Sequence, residues 1–414
     1  MTQRKMKDSG VAWIGQVPEG WNRSRLKNHV VITTGNLDTQ DANPDGEYPF
    51  YVRSPIVERS DTYTFEGPGI LMAGDGAGAG RVFHLAQGRY AVHQRVYRLF
   101  DFRNIDVVFL WRYLSEMFPR VMDMGSAQST VPSVRMPMLT NLMMFLPPLP
   151  EQRKIAAFLD GECGKIDELR GKVEKQIAAL EEYRKSVITE TVTKGIKRGR
   201  KMKPSGVEWI GEVPAEWCVL RVKNVGTSRN GLTYSPNDVV NESDGTLVLR
   251  SSNVQRGKLV VEDCVYVKTM VPKEIRIAKG DILICSRNGS RELIGKNALI
   301  ESDINASFGA FMMVFRSCGA DCKYLYWILN STMFGYYFGA FSTSTINQLT
   351  RKDFGEMRIP TPTIPEQREI AAYLDRKCAT IDSMVAKCRE ELDRLAEYKK
   401  SLIYEYVTGK KEVA

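Results

Sequence analysis

The chain carries one cassette of residues twice, and the two copies match only at their borders. Near the start it reads MKDSGVAWIGQVPEGW from Met6 to Trp21, and MKPSGVEWIGEVPAEW follows from Met202 to Trp217 at an offset of 196 residues. A second block, PEQRKIAAFLD from Pro150 to Asp160, returns as PEQREIAAYLD from Pro365 to Asp375 at an offset of 215 residues, a difference of 19. The inserts between these blocks therefore changed in length and content while their borders stayed fixed. A duplicated frame with dissimilar inserts predicts two related parts that recognise different things.

The length and composition favour a multidomain protein of the cytoplasm. At 414 residues the chain exceeds the usual size of one hydrophobic core. No apolar run approaches the roughly 20 residues that span a bilayer, and the polar N-terminus leaves no room for a signal peptide. The 8 cysteines contain no C-x-x-C pair, so neither a disulfide scaffold nor a zinc site is expected. We therefore expect a cytoplasmic protein with no membrane partner.

The net charge of +9 is unevenly placed. The excess lies mainly in the second insert and in a basic cluster between the two copies of the cassette, which contains Lys194, Lys197, Arg198, Arg200, Lys201 and Lys203. Phosphate binding depends on clustered cations rather than on total charge. The charge therefore permits nucleic-acid binding, and a solvated basic linker explains the cluster equally well.

After each P-E-Q block the pattern becomes that of a long helix. Apolar side chains recur every seven residues at Leu159, Ile166, Val173, Leu180 and Val187, and in the second copy at Leu374, Ile381, Cys388, Leu395 and Leu402. Further apolar residues are expected to widen this seam, namely Leu169, Ile177, Tyr183 and Ile188 in the first copy and Val385, Leu392 and Tyr398 in the second. A seam of this period predicts a coiled coil.

The helix ends are marked by proline and glycine. Pro150 and Pro365 suit the first helical turn, and Gly195 and Gly409 suit the positions just after the last. Each helix is predicted to have about 38 residues and a length of about 57 Å. Two arrangements are open. The helices of one chain pack antiparallel, which would relate the inserts by a pseudo-two-fold axis, or the seams join two chains.

Both inserts have the pattern of mixed α/β structure with many short strands. Extended segments are predicted at Arg81–Leu85 and Ala91–Phe100, and in the second insert at Thr246–Arg250, Lys258–Val267, Asp281–Ser286 and Ala310–Phe315. The segment Gly69–Met72, which precedes a glycine-rich turn, resembles Gly280–Ile284. Hydroxyl- and amide-rich loops lie near the end of each insert, at 125–130 and 342–348. Such side chains bond to base edges and phosphates.

Candidate catalytic motifs depart from their patterns. The glycine run 74–80 lacks the G-x-G-x-x-G spacing, and Gly289 and Gly295 are separated by five residues where a P-loop has four. No segment matches the Asn-Pro-Pro-aromatic signature of an amino-methyltransferase, and His29, His84 and His93 have no metal-ligand spacing. We therefore expect no catalytic site, no metal and no cofactor in this chain.

These features resemble the specificity (S) subunit of Type I restriction–modification enzymes. The resemblance covers nearly the whole chain and rests on the tandem W-I-G-x-V-P-x-x-W boxes, Trp13 to Trp21 and Trp209 to Trp217, and on the two P-E-Q-R-x-I-A-A-[FY]-L-D helix starts. It implies an α+β fold with two mixed α/β target recognition domains, separated by two long helices packed as an antiparallel coiled coil in a pseudo-two-fold internal repeat. The expected parts are an N-terminal box (1–21), recognition domain 1 (22–149), a central helix (150–195), a basic linker with the second box (196–217), recognition domain 2 (218–364) and a C-terminal helix (365–414).

The resemblance implies a non-catalytic, DNA-binding role. Each recognition domain is expected to read one half of a bipartite, asymmetric site in double-stranded DNA. The helices are expected to fix the spacer between the half-sites and to bind two methyltransferase (M) subunits, which would use S-adenosylmethionine to methylate adenine at N6. Two restriction (R) subunits would add cleavage driven by ATP with Mg²⁺.

A set of polar side chains in the inserts is predicted to contact bases or phosphates. In the first domain these are Arg81, Gln94, Arg95, Gln128, Ser129 and Arg135, and in the second they are Arg287, Asn288, Arg291, Ser344, Thr345, Asn347 and Gln348. A bidentate contact of arginine with guanine, or of glutamine with adenine, contributes about 1–3 kcal/mol of discrimination. For each arginine the alternative is a surface ion pair.

Three other functions stay open at this point. The chain is a self-sufficient methyltransferase that uses the glycine run 74–80, or a nuclease; it is a coiled-coil assembly adaptor that never binds DNA; or it serves a modification-only or related Type II system. Binding of S-adenosylmethionine by the purified chain would favour the first. An M–S complex without sequence-dependent protection of DNA would favour the second, and neighbouring genes would identify the third.

Overall fold

The computed structural model describes residues 4–11, 14–125, 132–341 and 348–413. The chain divides into two compact units: unit 1 consists of Met1–Glu174 and Glu390–Ala414, and unit 2 of Lys175–Arg389. The boundary between the units falls inside the two longest helices, so each unit holds part of both. Within the described ranges, no helix is long and apolar enough to cross a membrane.

Unit 1 combines short strands with two helices of its own and parts of both long helices. Its strands are β1 (Met6–Asp8), β2 (Gln16–Pro18), β3 (Asn22–Arg25), β4 (Val31–Thr34), β5 (Tyr48–Tyr51), β6 (Glu58–Ser60), β7 (Phe65–Glu66), β8 (Gly69–Ala73), β9 (Phe83–Ala86), β10 (Arg89–Val92), β11 (Val96–Phe100) and β12 (Met143–Leu146). Its helices are α1 (Val107–Gly125), α2 (Met136–Thr140) and the first part of α3 (Leu149–Lys194).

Unit 2 repeats this composition. Its strands are β13 (Met202–Pro204), β14 (Glu212–Pro214), β15 (Cys218–Arg221), β16 (Gly226–Asn230), β17 (Val239–Val240), β18 (Thr246–Leu249), β19 (Val254–Gln255), β20 (Lys258–Leu259), β21 (Val265–Val267), β22 (Ile282–Cys285), β23 (Asn297–Leu299), β24 (Ala306–Phe308), β25 (Met312–Ser317) and β26 (Arg358–Thr361). Its helices are α4 (Cys322–Leu329), α5 (Thr332–Phe341), α6 (Arg351–Glu356) and most of α7 (Ile364–Val407), whose end belongs to unit 1.

The two units share one sheet plan. Unit 1 has an antiparallel sheet in the order β4-β11-β8-β9, and unit 2 has its equivalent in β16-β25-β22-β23. A second sheet in each unit contains one parallel pair, β5 with β10 and β18 with β24. The predicted likeness of Gly69–Met72 to Gly280–Ile284 is confirmed, because β8 and β22 occupy the same place in their sheets.

These two strands are apolar on both faces because each lies between two hydrophobic layers. In β8, Ile70 and Met72 pack into the cluster that contains α1, while Leu71 packs with Tyr90 and Val96 on the other side. Successive side chains of a strand point to opposite faces, so a strand covered on both sides has a continuous apolar run. The residues of β22 divide in the same alternating way between two clusters of unit 2.

The strand predictions were right in type, and two of the predicted segments each contain two strands. The segment Ala91–Phe100 divides into β10 and β11 around a turn at 93–95, and Lys258–Val267 divides into β20 and β21. Both segments look continuous in sequence because the residues between the strands include no proline and no glycine. The turn at 93–95 belongs to the candidate site described below.

The long helices have 46 residues in α3 and 44 in α7, more than the 38 predicted. Helix α3 continues past the last heptad position because Ile188 and Val192 are fully buried. The predicted stops are confirmed: Gly195 and Gly409 follow the helix ends with φ of 75° and 70°. Glycine adopts this left-handed conformation without the steric cost that a Cβ would bring.

Within each unit the long helices run antiparallel. In unit 1 the rings of Phe158 and Tyr406 lie 4.5 Å apart, and Lys399 Nζ lies 2.6 Å from Asp167 Oδ1. The later residue of α3 contacts the earlier residue of α7, so the two helices are antiparallel. In unit 2, Arg184 Nε donates to Asp382 Oδ1 at 2.9 Å.

Seam residues and widening residues differ in burial. Among the heptad positions, Leu159, Ile166, Val173, Leu374, Ile381, Cys388 and Leu402 are buried, and Leu180, Val187 and Leu395 are half-buried. Of the residues predicted to widen the seam, Ile188 and Val385 are buried and Ile177 and Leu392 are half-buried. The prediction was wrong for Leu169, Tyr183 and Tyr398, which are 48%, 48% and 55% exposed. A helix that packs mainly against one partner buries a narrow stripe, and residues beside that stripe face solvent.

Candidate nucleic-acid interface

In unit 1, strand ends from both sheets meet at one place, which we call the loop end. Strand β11 begins there and β4 and β8 end there, since Tyr97 pairs with Thr34 and Val96 with Ala73. The parallel strands β5 and β10 also end there. The loop end consists of residues 35–38, 52–54, 74–76 and 93–95. It contains Gln94 and Arg95, two of the residues predicted to contact DNA.

Unit 2 has a loop end built from the same connections, residues 231–234, 250–252, 286–288 and 309–311. Two isolated β-bridges establish the correspondence. Leu37 with His93 in unit 1 matches Leu232 with Gly309 in unit 2, and Asp75 with Ser133 matches Arg287 with Gln348. The loop ends are therefore equivalent in backbone plan and differ in side chains.

The loop end of unit 1 is centred on Asp75. Its two carboxylate oxygens accept hydrogen bonds from Arg53 at 2.9 Å and from Arg95 at 2.7 Å. Burial acts to raise the pKa of Asp75, but the hydrogen bonds and charges of the two arginines outweigh it and hold that pKa below its usual value. The cluster keeps a net positive charge, and both arginines remain part-exposed.

A second carboxylate ties two loops of unit 1 together. Gln94 Nε2 donates to Asp38 Oδ2 at 2.8 Å, and the ring Nε2 of buried His93 lies 3.3 Å from Asp38 Oδ1. The backbone N–H of Thr39 has the largest effect on this carboxyl and lowers the pKa of Asp38. The predicted contact residue Gln94 therefore already has a partner within the unit.

The loop end of unit 2 is organised around an aromatic ring. The guanidinium carbon of Arg287 lies 5.3 Å from the ring centroid of Phe311, whose side chain is 59% exposed. Asn288 Nδ2 donates to Ser251 Oγ at 3.1 Å. Beside these residues lies a cleft of about 1060 Å³, which is also lined by Tyr234 and Met312.

The remaining predicted residues lie away from these clusters or outside the described ranges. Arg81 forms an ion pair with Asp123 of α1, Arg135 is exposed at the start of α2, and Arg291 is exposed at a short 3₁₀ turn. Gln348 is exposed and bridges to Arg287. Outside the described residues lie Gln128, Ser129, Ser344, Thr345 and Asn347.

Sequence reasoning missed four residues of the loop ends, namely Arg53, Asp75, Ser251 and Phe311. Each lies within two residues of a strand end, so matching the two inserts strand by strand is the signal that finds them.

The glycine run around Asp75 has a packing role. A Cβ at Gly78 would lie 2.6 Å from the Arg53 carbonyl oxygen, and one at Gly74 would lie 2.8 Å from that of Arg95. Glycine lets the loops approach this closely.

The duplicated blocks meet each other in unit 1. The Trp21 indole N–H, from the first block, donates to Glu151 Oε1 at 3.3 Å at the start of α3. Arg4 donates to the same oxygen at 2.7 Å and lies over the Trp21 ring at 5.5 Å. Glu151 therefore connects the two blocks directly, and we call this arrangement of tryptophan, glutamate and arginine the joint.

Unit 2 contains the same joint. Trp217 Nε1 donates to Glu366 Oε2 at 3.1 Å, and Arg200 forms an ion pair with Glu366 while its guanidinium lies over the Trp217 ring at 5.9 Å. The basic cluster between the copies is therefore not only a solvated linker. At least Arg200 has a structural partner.

The glutamine of each P-E-Q block connects the long helix to the insert. Gln152 Nε2 donates to the Pro147 carbonyl at 2.9 Å, and its Oε1 accepts the backbone N–H of Asp106, just before α1, at 2.8 Å. Gln367 makes the same pair of contacts, to Pro362 and Asp321, at 2.9 and 2.7 Å. Both glutamines are buried and have both ends of the amide bonded.

Comparison with known proteins gives one consistent family. The model of the Type I restriction modification DNA specificity domain matches residues 18–178 and again residues 214–394. The Type I restriction enzyme EcoDI specificity subunit of Escherichia coli is 22% identical over an alignment of 426 residues, which covers 95% of this chain and 89% of that protein. The Type I restriction enzyme MjaVIII specificity subunit of Methanocaldococcus jannaschii is 25% identical over 420 residues and covers 95% and 94%.

The fold has a counterpart among solved structures. A chain from a structure that describes complex assembly and conformational transition of the type I R-M system superposes with a TM-score of 0.70. The match covers 94% of this chain and 98% of that chain at 17% sequence identity. The likeness at this identity concerns the fold.

Proposed function

Because the chain belongs to the family of Type I restriction–modification specificity subunits, we propose that each of its units reads one half of a bipartite, asymmetric site in double-stranded DNA. Unit 1 would contact one half-site through its loop end, and unit 2 the other. The chain would carry out no chemistry of its own.

The observation that carries this proposal is the contrast between the two loop ends. They share strand order and bridging backbone contacts, yet an acid held by two arginines in one is replaced by an arginine on an aromatic ring in the other. Base edges in the major groove differ in their pattern of donors and acceptors. Equivalent backbones with different polar side chains are suited to two different half-sites.

The matched parts of the chain would do the same work twice. Helices α3 and α7 continue without interruption across the boundary between the units, so their length would fix the unspecified spacer. Their surfaces and the repeated joints would bind two methyltransferase subunits. These would supply S-adenosylmethionine and methylate adenine at N6, and two restriction subunits would use ATP and Mg²⁺ for cleavage.

The test is genome-wide detection of N6-methyladenine in cells that express this chain with its M partner. The expected result is one bipartite motif with a spacer of fixed length, absent when either protein is omitted. Methylation without a sequence preference would contradict the proposal and favour the assembly adaptor. Stoichiometric binding of S-adenosylmethionine by the purified chain would contradict it in favour of a self-sufficient methyltransferase.

A further inference from the structure

The two loop ends differ in charge at one shared position. Asp75 in unit 1 and Arg287 in unit 2 each lie two residues after the central apolar strand and form the equivalent β-bridge. The backbone around them also matches. Gly74 N–H donates to the Arg95 carbonyl at 2.9 Å, and Ser286 N–H donates to the Phe311 carbonyl at 3.0 Å. Phe311 therefore takes the place of Arg95.

The hydrogen-bonding groups at this position have opposite character in the two units. In unit 1 both carboxylate oxygens of Asp75 are bonded to arginines. In unit 2, no carboxylate among the described residues lies within 4.0 Å of the exposed Arg287 guanidinium. An arginine that sits at a proposed DNA-reading surface without a charged partner keeps its donors available for a ligand.

The neighbours of Arg287 restrict how it can act. The Phe311 ring covers one face of the guanidinium, which limits its orientation and leaves the N–H groups in its plane free. Asn288 has a different task, because one N–H of its Nδ2 donates to Ser251 and its Oδ1 accepts the Ser290 N–H at 3.0 Å. Asn288 instead holds the loop that carries Arg287.

We propose that Arg287 determines the specificity of unit 2 for one guanine, whose O6 and N7 it contacts through two guanidinium N–H groups, and that Phe311 positions it. The inference rests on the proposed function. A planar fork of donors matches the two adjacent acceptors of guanine in the major groove, and no other base presents that pair. Unit 1, with Asp75 at the same position, has no such donor there.

The experiment uses the complex of this chain with its M subunits and a duplex that carries its methylation motif. Each guanine of the motif is replaced in turn by 7-deazaguanine, which lacks the N7 acceptor, and each G·C pair by A·T. At one guanine of one half-site, the A·T replacement is expected to weaken binding about 5- to 150-fold, and 7-deazaguanine should weaken it less. Arg287→Ala should abolish both effects at that position and leave the other half-site unchanged.

Three further variants separate the roles. Arg287→Lys should keep part of the guanine preference, because lysine retains donors without the planar fork. Phe311→Leu should weaken the same preference and no other. Arg276→Ala removes an exposed arginine of unit 2 that lies outside the loop end; it is the matched control and should leave every base preference unchanged.

The outcomes distinguish this inference from the function on which it rests. If the wild-type complex recognises no bipartite motif, the proposed function fails. If the wild-type complex recognises one and Arg287→Ala keeps every base preference, the inference alone is overturned. An equal loss of affinity for all DNA in Arg287→Ala would also overturn it and make the residue a phosphate contact. Assembly with M subunits, checked for each variant, shows that the chain is folded.

Discussion

At the scale of single residues, the two tryptophans in the second copy of the first block have different roles. Trp217 is buried and donates to the Glu366 carboxylate, whereas the Trp209 indole N–H is buried with no hydrogen-bond partner among the described residues. Trp217→Phe and Trp209→Phe remove the same group of atoms. We expect Trp217→Phe to lower the free energy of unfolding by about 1.5–3 kcal/mol more than Trp209→Phe, because only the first removes the donor to Oε2 of the buried Glu366 carboxylate, whose Oε1 pairs with Arg200. Urea unfolding followed by circular dichroism measures the difference, and equal losses would contradict this role of Glu366.

We expect the half-buried ring of His84 to make the stability of the protein depend on pH. Burial lowers the pKa of His84 below its ordinary value of 6.5, against the opposing effect of the Ser54 carbonyl that accepts its N–H. The folded protein therefore favours the neutral ring, while the unfolded chain takes up a proton near pH 6.5. Stability is fully present above that pH and is lost as the pH falls through it toward the folded pKa.

The matched variant for this effect is His84→Gln, which keeps a side-chain donor for the Ser54 carbonyl and does not titrate. The midpoint of urea unfolding should fall between pH 7.5 and pH 5.5 by more in the wild type than in His84→Gln. If both proteins lost the same stability over this range, burial of the imidazole would not be the cause.

At the residue scale, the sequence selects side chains by their chemical type and does not show which neighbours already bond to them. Arg95 and Arg287 were predicted to contact DNA because arginine is the usual phosphate and guanine ligand. That contact stays a prediction, and the structure places Arg95 in an ion pair with Asp75. Gln94 was identified on the same ground, yet it donates to Asp38. Asp75 was passed over because an acid in a glycine run does not suggest DNA binding, and its two arginine partners come from other loops.

At the scale of elements, the seam of the long helices separates buried from exposed leucines on one helix. Leu159 is fully buried and Leu169 is 48% exposed, and both lie in the part of α3 that belongs to unit 1. Leu159→Ala should destabilise the chain by about 2–5 kcal/mol through lost burial and a cavity, while Leu169→Ala should change its stability by less than about 1 kcal/mol. Denaturant unfolding of the two variants is the measurement, and similar losses would place Leu169 in the core against its observed exposure.

The helices were predictable in kind because a seven-residue repeat has only one regular explanation. Their extent was not predictable. The last turns of α3 are buried against the second copy of the first block and not in the seam, because Ile188 and Val192 pack in the cluster that contains Trp217. The strands were predictable where an apolar run is covered on both faces, as in β8. They were not predictable where a turn without glycine or proline divides them, as between β10 and β11.

At the scale of the whole molecule, the unit boundary offers a place to change the spacer alone. Insertion of one heptad after Glu174 in α3 and one after Arg389 in α7 preserves the seven-residue period and lies between the units. Seven helical residues add about 10 Å, or up to about 3 base pairs of DNA at 3.4 Å each. The methylated motif should keep both half-sites and gain a longer spacer.

The control is the same heptad inserted after Lys410, beyond the end of α7, which should leave the spacer unchanged. Sequencing of methylated adenines gives both readouts in one experiment. A changed half-site in the double insertion, with the spacer retained, would contradict the proposal that the helices set the distance between the two readers.

The order of repeated and unrepeated segments predicted a duplicated frame with two dissimilar inserts. The α+β fold with two long antiparallel helices was implied by the resemblance to the family. The common strand plan of the two inserts could not be predicted from the sequence. Their common strand plan is carried by backbone pairing, which many different side chains permit, so little of it remains visible as identity.

The joints have a consequence for how such a protein changes between strains. Gln152 and Gln367 bond to backbone atoms at the edge of each insert, so this contact does not depend on which side chain the insert carries there. The tryptophan, glutamate and arginine of each joint lie outside the inserts. Homologous recombination with crossovers in the two repeated blocks would therefore deliver a foreign insert into an intact attachment. Under the proposed function, a single genetic exchange of this kind would change the recognition sequence and leave the surfaces for the partner subunits unchanged.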